Sequence, residues 1–404
     1  MLNLNHLDYY RLPWNLTDNS ISWLEPTAKC NLSCDGCYRK NENNSHKSIE
    51  EIRKELEIFT RLRRCDGVSI AGGDPLTHPD IVEIVKIIKE KNLKPIINTN
   101  GLALDKVLLT ELKKAGVFGF TFHIDSKQNR PGWKDKNEIE LNELRFHYAK
   151  MLSEVKNISC AFNSTVYEDT MQFIPGVLKW AQENINIVQV MVFILYRAVN
   201  NKKVDFFLGP KKIDMSQLVY NEDPLERTDI KAEEIVEIIR TEYPDFENCA
   251  YLNGSEQPDS FKWLLTGRLG RKNKIYGYMG SKGIEIIQTF NHLLKNRYLA
   301  YASPKDTSKG KLMLLLSLFD KQLKKTFKNY YKNPLNLFRK LYYQSVMIIQ
   351  PIDFLEDGRQ NMCDGCPDIT VWNGKLVWSC RMEEQLNFGM NLKTYPKNFL
   401  DQMN

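Results

Sequence analysis

The sequence predicts an α/β fold in which parallel strands close, wholly or in part, into a barrel. Between residues 20 and 197, six short apolar runs rich in β-branched residues alternate with longer amphipathic stretches. Successive strand and helix units of this kind imply a parallel sheet with right-handed crossovers. In addition, polar residues gather where each predicted strand ends, which is the edge that carries the active site in α/β barrels.

The element boundaries follow from this alternation. The predicted strands are Ile21–Cys30, Val68–Gly72, Pro95–Asn100, Gly119–Asp125, Ser159–Val166 and Val188–Arg197. The predicted helices are Ser48–Leu62, His78–Lys91, Asp105–Ala115, Glu140–Glu154 and Phe173–Glu183. The polar residues at the strand ends are Cys30, Asp74, Asn98, Asn100, His123, Asp125, Asn163, Thr165 and Arg197. Alternation puts His123 on the same side of its strand as Thr121 and Asp125, which predicts a position inside the barrel.

Three cysteines directly follow the first predicted strand. Cys30, Cys34 and Cys37 have the spacing C-x3-C-x2-C, and no fourth Cys or His lies within reach along the sequence. Three thiolates leave a tetrahedral metal site one ligand short, whereas they suit a [4Fe-4S] cluster that keeps one iron open for another molecule. The loop is therefore predicted to bind metal on the chemical edge of the sheet.

The second predicted strand ends in Gly72-Gly73-Asp74-Pro75. Paired glycines permit a sharp turn and leave backbone groups bare enough to hold a small polar ligand. Taken alone, the turn is equally consistent with a tight connection between a strand and a helix.

Together, the cysteine loop and this turn resemble the radical S-adenosylmethionine (SAM) superfamily, whose members carry C-x3-C-x2-C after the first strand and Gly-Gly-Glu-Pro after the second. Asp74 replaces the Glu of that motif, and Gly36 stands where many members have an aromatic residue, which leaves Tyr38 as a candidate to stack on the adenine. The resemblance covers roughly residues 18 to 200 and implies a partial (β/α)6 barrel.

The resemblance implies that Cys30, Cys34 and Cys37 hold three irons of a [4Fe-4S] cluster while SAM chelates the fourth. One electron then cleaves SAM to a 5′-deoxyadenosyl radical, which removes hydrogen from an unactivated carbon. It also implies an electron donor of the flavodoxin or ferredoxin type. The SAM-binding candidates are Gly72, Gly73, Asp74, Pro75, Tyr38, Asn98, Asn100, His123, Asp125 and Asn163. Each polar strand-end residue taken singly is better explained as a satisfied cap, and no catalytic residue is assigned.

A second group of cysteines lies near the end of the sequence. Cys363 and Cys366 form a C-x2-C loop, and a hairpin through Asn373-Gly374 is predicted to return Cys380 to its side. Taken alone, this spacing favours structural zinc. Beside the radical SAM resemblance it looks like the SPASM or twitch extensions, which implies one auxiliary [4Fe-4S] cluster. The fourth iron of this cluster would take a ligand from elsewhere in the chain or would have no protein ligand.

The other three cysteines have less defined surroundings. Cys249 is the nearest spare cysteine to the C-terminal group and is a candidate for its fourth ligand. Cys65 and Cys160 lie in apolar runs and are predicted to be small core residues.

The intervening region is predicted to be a mainly helical insertion. Within it, residues 316–330 read as one amphipathic helix with a basic face. Its apolar face comprises Leu316, Phe319, Leu323, Phe327 and Tyr330, and its basic face Lys321, Lys324, Lys325, Lys328 and Lys332. Such a helix can lie in a membrane interface or bind an anionic partner, but the more ordinary interpretation is a helix that covers the barrel.

Composition limits the function classes. A net charge of +6 over 404 residues argues against a dedicated nucleic-acid binder. Residues 1–6 show no export signal, so a cytoplasmic protein with reduced cysteines is predicted. The longest apolar run, Leu312–Phe319, is too short to span a bilayer, although contact with the inner face of a membrane is not excluded.

The sequence thus predicts three segments: a radical SAM partial barrel in residues 1–200, a helical substrate- or membrane-facing region in 201–350, and an auxiliary-cluster domain in 351–404. The expected function is radical chemistry on an unactivated carbon of a hydrophobic or lipid-like substrate. Maturation of a ribosomally made peptide is the alternative. A non-catalytic, zinc-stabilised binding protein is a more remote one.

Overall fold

The computed structural model describes residues 4–35, 37–197, 204–215, 218, 227 and 229–397. Gly36, one of the predicted departures from the family pattern, lies outside the described residues. The strands are β1 (Tyr10–Arg11), β2 (Ile21–Thr27), β3 (Gly67–Gly72), β4 (Lys94–Thr99), β5 (Gly119–His123), β6 (Ser159–Val166), β7 (Val190–Leu195), β8 (Val204–Leu208), β9 (Lys211–Ile213), β10 (Ala250–Leu252), β11 (Trp263–Arg271), β12 (Lys274–Tyr278), β13 (Tyr342–Ile349), β14 (Asp353–Phe354), β15 (Gln360–Asn361), β16 (Ile369–Trp372), β17 (Lys375–Trp378) and β18 (Lys393–Pro396).

The α-helices lie mostly between these strands. They are α1 (Ile49–Leu62), α2 (Ile81–Glu90), α3 (Lys106–Ala115), α4 (Asn142–Val155), α5 (Ile174–Glu183), α6 (Ala232–Glu242), α7 (Ser281–Lys295), α8 (Pro304–Thr307), α9 (Gly310–Met313), α10 (Lys321–Tyr331) and α11 (Met382–Phe388). Local signals set their ends. For example, Ser48 and Glu51 form a reciprocal capping box at the start of α1, and Gly116 adopts the left-handed conformation that ends α3.

The main sheet of the described residues has eleven strands in the order β1-β10-β11-β13-β7-β6-β5-β4-β3-β2, with β12 paired to β11. Strands β2 to β7 run parallel to one another, and helices α1 to α5 connect them. This is the predicted succession of six strand and helix units, so the α/β fold with a partial-barrel core is confirmed.

The two faces of the parallel strands bury different layers. On the helix side, alternate residues such as Ile97, Phe120 and Phe162 are completely buried in the principal core. On the other side, a smaller apolar cluster fills the inside of the curved sheet around Tyr301. The Tyr301 hydroxyl lies 3.1 Å from the Thr121 hydroxyl, and its carbonyl accepts a hydrogen bond from Lys94. Tyr301 thus fills the inside of the barrel towards the amino ends of the parallel strands, and the inside remains polar towards their carboxyl ends.

The region between residues 201 and 350 differs from the predicted helical insertion. It contributes β10, β11, β12 and β13 to the main sheet, and β13 pairs in parallel with β7. Its strands were missed because β10 and β12 are short and because β11 contains Gly267 and Gly270, which weaken a strand pattern. The sheet therefore continues past residue 200 without a break in hydrogen bonding.

The predicted helix over residues 316–330 begins later than expected. Helix α10 starts at Lys321, because the Asp320 side chain accepts a hydrogen bond from Leu323 N at 2.8 Å and caps it. Leu323 and Tyr330 are completely buried, whereas Phe319 lies outside the helix and is exposed. The predicted single apolar face is therefore wrong: α10 covers the sheet, and the exposed apolar side chains lie mainly in the turns before and after it. None of the described helices has the length and apolar character of a membrane span.

Candidate functional site

The cysteine loop leaves the carboxyl end of β2 and is fastened at Cys30. Asn41 Oδ1 accepts a hydrogen bond from Cys30 N, and Asn41 Nδ2 donates one to Cys30 O, both at 2.9 Å. Cys30, Cys34 and Cys37 all carry free thiols. Burial raises the pKa of Cys30 and of Cys34 above the ordinary thiol value. A thiol must be deprotonated to bind metal, so metal binding here would release protons.

The arrangement differs from a site for one ion. Among the residues that the structure describes, no three His, Cys, Asp or Glu side chains converge closely enough to hold a single metal ion. In a four-iron cluster each thiolate binds a different iron, so its ligands stand further apart than the ligands of one ion. The cysteine loop fits such a cluster in the type and number of its donors.

The turn after β3 packs directly against this loop. Gly72 has a positive φ of 106°, and a Cβ there would lie 2.2 Å from the Thr27 carbonyl oxygen. A Cβ on Gly73 would lie 2.2 Å from the Lys29 carbonyl oxygen. Only glycine permits this approach, and Gly73 N and Asp74 N donate hydrogen bonds to Thr27 O and Lys29 O. The two glycines thus position the start of the cysteine loop.

The carboxylate of Asp74 is fully engaged by the protein. It accepts hydrogen bonds from Leu76 N, from the Thr99 hydroxyl and from Asn100 N at 2.8 to 3.0 Å. Its side chain is buried, and Pro75 starts the short 3-10 turn that follows. Because the carboxylate ties β3 to the end of β4, Asp74 positions the loops of the site.

His123, Asp125 and Thr165 form one hydrogen-bonded group at the ends of β5 and β6. His123 Nε2 lies 2.9 Å from Asp125 Oδ2 and 2.9 Å from the Thr165 hydroxyl. Although burial opposes ionisation, the hydrogen bond from His123 holds the pKa of Asp125 below its ordinary value. The predicted common orientation of His123 and Asp125 is confirmed. Thr165 joins them from the neighbouring strand.

The three asparagines among the predicted residues differ in their contacts. Asn100 Nδ2 lies 3.8 Å from Cys30 Sγ and donates to Asn31 Oδ1 at 2.7 Å. Asn98 Nδ2 is buried and has no acceptor among the described residues. Asn163 is half-buried at the end of β6, and its backbone pairs with Ile124. Asn98 therefore presents a free buried donor, while Asn100 touches the cysteine loop itself.

Tyr38 follows the cysteine loop beside a buried ion pair. The Arg39 guanidinium lies 5.3 Å from the Tyr38 ring centroid and pairs with Glu25 of β2. Burial raises the pKa of Tyr38 above the ordinary phenol value. Arg39 also lies 3.9 Å from Glu383 of α11, so this group links the cysteine loop to the C-terminal part of the chain.

Arg130 belongs to this site, although it was not among the predicted residues. It is 97% buried in the segment after β5, and its Nη2 donates to the His123 carbonyl. Its Nε and Nη1 atoms are buried without a hydrogen-bond acceptor, although the Tyr148 phenol is a neighbour. The electrostatic neighbours of Arg130 include Cys34, Asp125 and Asp74. No spacing motif marks it, because the loop fold alone brings it here.

The C-terminal cysteines form a second group. The hairpin of β16 and β17 turns at Asn373 and Gly374, both with positive φ, as predicted. A hydrogen bond with Cys366 lowers the pKa of Cys363, and burial raises the pKa of Cys380 to about 12 with Cys363 as an electrostatic neighbour. The structure therefore brings Cys363, Cys366 and Cys380 into one neighbourhood.

This second group contacts both the segment before β2, which is an edge strand of the main sheet, and the segment after β10. Gly254, just after β10, forms a β-bridge with Cys363, and Asn19 before β2 donates to the Gly365 carbonyl at 3.0 Å. Asp368, which follows Cys366, is an electrostatic neighbour of both Cys380 and Tyr38, and burial raises its pKa to about 7. The sequence did not indicate this carboxyl group.

The remaining three cysteines are buried. Cys249 is buried with Leu12 and Leu269, five residues before Gly254, which corresponds to about 16 Å along an extended chain. Cys363 packs against the same apolar cluster, so the role of Cys249 as a fourth ligand stays a prediction. Cys65 and Cys160 are buried in the principal core, as predicted.

A cleft of about 1040 Å³ opens at the same edge of the sheet, beyond the ends of β7 and β13. It is lined mainly by charged and polar side chains, with Phe261 and Phe354 among a few apolar ones. At its wall, Asp353 pairs with Arg197 and with the completely buried Lys262, both at 2.7 Å. Although burial opposes ionisation, these two cations hold the pKa of Asp353 below its ordinary value. Arg197, predicted at a strand end, thus belongs to the wall of the cleft.

Comparison with known proteins agrees with this geometry. Residues 24–172 match the family model of the radical SAM superfamily. A "Probable GTP 3',8-cyclase" of Methanococcus maripaludis is 28% identical over 179 residues, which cover 42% of this chain and 58% of the relative. An "AdoMet-dependent heme synthase" of Methanosarcina barkeri is 34% identical over 108 residues, 26% of this chain and 30% of the relative. SuiB of Streptococcus suis aligns in structure with a TM-score of 0.40 and 15% identity over 56% of this chain and 46% of SuiB.

The two sequence relatives are therefore matched over 58% and 30% of their own length. The matched segment contains β2 to β6, the cysteine loop and the glycine turn. SAM and a [4Fe-4S] cluster are the cofactors of the matched family. By this match and by its site, residues 24–172 of the chain form a radical SAM domain.

Proposed function

We propose that this protein is a radical SAM enzyme that modifies an unactivated carbon of its substrate. The observation that carries the proposal is that one loop with three free thiols, a glycine turn and buried unpaired donors lie at one edge of the parallel sheet. When bound there, the cluster and SAM supply a reducing electron and the 5′-deoxyadenosyl radical. The chain's own task is to orient both partners and to keep water out.

Each predicted residue has a place in this proposal. Cys30, Cys34 and Cys37 would hold the cluster, and Asn100 beside Cys30 would support the loop. Gly72, Gly73 and Pro75 would offer backbone groups to the SAM amino group, with Asp74 holding the turn in shape. The SAM carboxylate and ribose would meet the donors and acceptors of Asn98, Arg130, His123, Asp125 and Asn163, and Tyr38 would lie near the adenine. The free donors of Asn98 and Arg130 support this assignment most directly, because buried donors without acceptors are costly.

We further propose that Cys363, Cys366 and Cys380 hold an auxiliary [4Fe-4S] cluster of the SPASM or twitch kind. Their contact with the segment before β2 supports this role, and Asp368 beside them is an electrostatic neighbour of Tyr38, which directly follows Cys37. A structural zinc site is the alternative for these three thiols.

A polar, peptide-like substrate agrees best with the cleft beyond β7 and β13. Its wall offers both carboxylates and guanidinium groups for the amide groups of a peptide, with Phe261, Ile352 and Phe354 for side chains. A lipid-like substrate, the first expectation from the sequence, finds no comparable apolar opening there in the described part of the chain. We therefore favour the peptide alternative, with the protein acting in the cytoplasm, in part at the inner membrane face, and drawing electrons from a flavodoxin- or ferredoxin-type donor.

The first prediction tests the central assignment. Replacing Cys30, Cys34 and Cys37 together by Ala should abolish formation of 5′-deoxyadenosine after anaerobic reconstitution, because SAM cleavage requires the open iron. Iron content should fall by about one four-iron cluster. The measurement is product formation by liquid chromatography under strong reduction, with iron and sulfide determined on the same samples.

Cys160→Ala is the matched control, because this buried cysteine lies in the principal core and should leave iron content and SAM cleavage unchanged. Reductive SAM cleavage by the triple variant would contradict the assignment. Zinc in place of iron and sulfide in the wild-type protein would instead favour a zinc-stabilised binding protein.

A further inference from the structure

Exposed large apolar side chains concentrate in the turns around α10. Six of them define what we call the apolar surface: Leu312, Leu315, Leu318, Phe319, Leu337 and Phe338. Leu318 is 85% and Phe338 86% exposed. Lys311 Nζ donates to the Leu337 carbonyl at 2.6 Å, so the segments before and after α10 lie side by side. Contiguous apolar exposure of this kind marks an interaction surface.

The layer beneath this surface is well packed. Leu314, Leu323 and Tyr330 are almost completely buried. The Tyr330 hydroxyl donates to the Asn336 carbonyl at 2.8 Å, and Asp320 accepts from both Gly283 N and Leu323 N, which fixes α7 against α10. The exposed leucines and phenylalanines are therefore the outer layer of an ordered unit, and they have no further core residues to cover.

Positive charge surrounds the apolar surface. Residues 305–340 contain ten Lys or Arg residues and two Asp residues. One of the two acids, Asp320, is buried as a helix cap, while Lys321, Lys324 and Lys328 of α10 are exposed. An approaching anionic surface would therefore meet cations with almost no opposing charge in this segment.

A basic pocket lies beside this unit. A cavity of about 350 Å³ is lined by seven residues of the described chain, three of them cations and none of them acidic. The cations are Arg271, Lys272 and Lys274 at the turn between β11 and β12. Tyr276, which also lines the pocket, contacts Tyr330 of α10 with ring centroids 4.9 Å apart. The pocket and α10 are therefore neighbours.

Both features lie at the end of the sheet opposite the cysteines. Tyr342, which lines the pocket, begins β13 and pairs with Gly270, whereas the cleft and the cysteine loops follow the carboxyl ends of the parallel strands. Gly310 N donates to Leu341 O, which places α9 at this same end of the sheet, opposite the cysteines, which we call the lower end. The eight residues of β13 separate the two ends by about 25 Å.

We propose that this lower end docks on an anionic lipid bilayer. The apolar surface enters the headgroup region, the lysines of α10 lie along the lipid phosphates, and the basic pocket takes a phosphate headgroup. The combination of projecting leucines with cations fits a bilayer better than a nucleic acid, which offers no apolar layer. An electron donor bound here would lie on the far side of the sheet from both cysteine groups. The inference does not depend on the proposed radical chemistry.

The orientation has a consequence for the substrate. With the lower end on the bilayer, the cysteine loops and the polar cleft face the aqueous phase. The bilayer thus locates the enzyme without delivering the substrate from its interior.

The test measures flotation of the full chain with vesicles of phosphatidylglycerol and phosphatidylcholine, and with vesicles of phosphatidylcholine alone. We expect binding to the anionic vesicles, weak binding to the neutral ones, and release as salt rises from about 0.05 M to about 0.5 M. Leu318→Ser with Phe338→Ser should weaken binding at least about tenfold. Lys272→Gln, Lys274→Gln and Lys321→Gln together should weaken it by about tenfold and flatten the salt response.

Leu7→Ser with Leu386→Ser is the matched control, since both residues are exposed leucines outside the apolar surface, and it should bind as the wild type does. All variants change exposed side chains, so their melting temperatures should match the wild type. Equal binding to both vesicle types, absence of binding to either, or a self-associated wild type that the Leu318 and Phe338 variant makes monomeric in sedimentation would overturn the proposal. The last result would assign the surface to a second copy of the chain.

Discussion

At the scale of single residues, the site contains two kinds of polar side chain. Some make their hydrogen bonds within the protein, and others have a buried donor without an acceptor. The carboxylates of Asp74 and Asp125 each accept several hydrogen bonds from the protein. In contrast, Asn98 Nδ2 and two of the three Arg130 nitrogens, Nε and Nη1, have no acceptor among the described residues. An unpaired buried donor costs about 1–3 kcal/mol, so a ligand that supplies an acceptor recovers this free energy on binding.

The second prediction concerns Arg130. Arg130→Met should weaken SAM binding about tenfold to a hundredfold, because a hydrogen bond to a charged group contributes about 1.5–3 kcal/mol. Arg130→Lys should restore part of the affinity by returning the charge without the planar donor pair. The measurement is equilibrium binding of SAM to the reconstituted protein, with iron content held equal.

Arg53→Met is a suitable control, since Arg53 is an exposed residue of α1. Unchanged SAM affinity in the Arg130→Met variant, with its iron intact, would remove Arg130 from the site and leave it as a structural contact of the His123 carbonyl.

The sequence predicted those site residues that belong to a short sequence motif. The cysteine loop and the glycine pair are local signals, and both lie where they were expected. Arg130 escaped because its position depends on how the loop after β5 folds back towards Cys34. The engagement of Asp74 was equally hidden, because its partners Thr99 and Asn100 come from β4 and not from its own turn.

At the scale of secondary structure, the C-terminal hairpin carries the second cysteine group. Asn373 and Gly374 adopt the positive φ angles that a two-residue turn requires, and the register pairs Trp372 with Lys375. Cys380 follows the second strand and Cys366 precedes the first. The hairpin therefore fixes the separation of these thiols before any metal binds.

The third prediction tests what these thiols hold. Changing Cys363, Cys366 and Cys380 together to Ala should lower iron content by about one four-iron cluster and leave the cluster at Cys30, Cys34 and Cys37 able to form. Because the SAM-binding residues are untouched, 5′-deoxyadenosine should still appear. Iron, sulfide and zinc determined on one anaerobic preparation decide the outcome.

Cys65→Ala is the corresponding control, because Cys65 is a buried cysteine of the principal core. Loss of bound zinc from the triple variant, with no change in iron, would establish a structural zinc site in place of the auxiliary cluster.

Elements with strong periodicity were predicted well, and those set by tertiary contacts were not. The six strand and helix units repeat a clear alternation of apolar runs and amphipathic stretches. In contrast, β10 and β12 are only three and five residues long, and each pairs with β11 through contacts that a local pattern does not show. The start of α10 depends on Asp320, whose carboxylate also accepts hydrogen bonds from Gly280 N and Gly283 N, which are distant in sequence.

At the scale of the whole molecule, buried arginines join the barrel to the C-terminal segment. Arg63 at the end of α1 donates to the Ile21 and Leu16 carbonyls near β2, and also to the Cys366 carbonyl at 2.9 Å. Arg11 pairs with Asp364 at 2.6 Å, and Arg39 links Glu25 to Glu383. The predicted division into residues 1–200, 201–350 and 351–404 remains a proposal. These contacts and the continuous sheet join the three segments in one packed structure.

The last prediction follows from Arg63, which is 98% buried and donates hydrogen bonds to both the barrel and the C-terminal segment. Arg63→Met should lower the free energy of unfolding by about 3 kcal/mol, since several buried carbonyls lose their donor together. Because the Cys366 carbonyl is among them, iron bound at the C-terminal cysteines should also be lost more readily to a chelator. The neighbouring Arg61→Met, an exposed position on the same helix, should change stability by less than about 0.5 kcal/mol. Thermal unfolding of the metal-free protein should show one transition in the wild type, shifted down in the Arg63 variant. Two separate transitions, with only one of them moved by Arg63→Met, would mean that the barrel and the C-terminal segment fold independently and that Arg63 does not couple them.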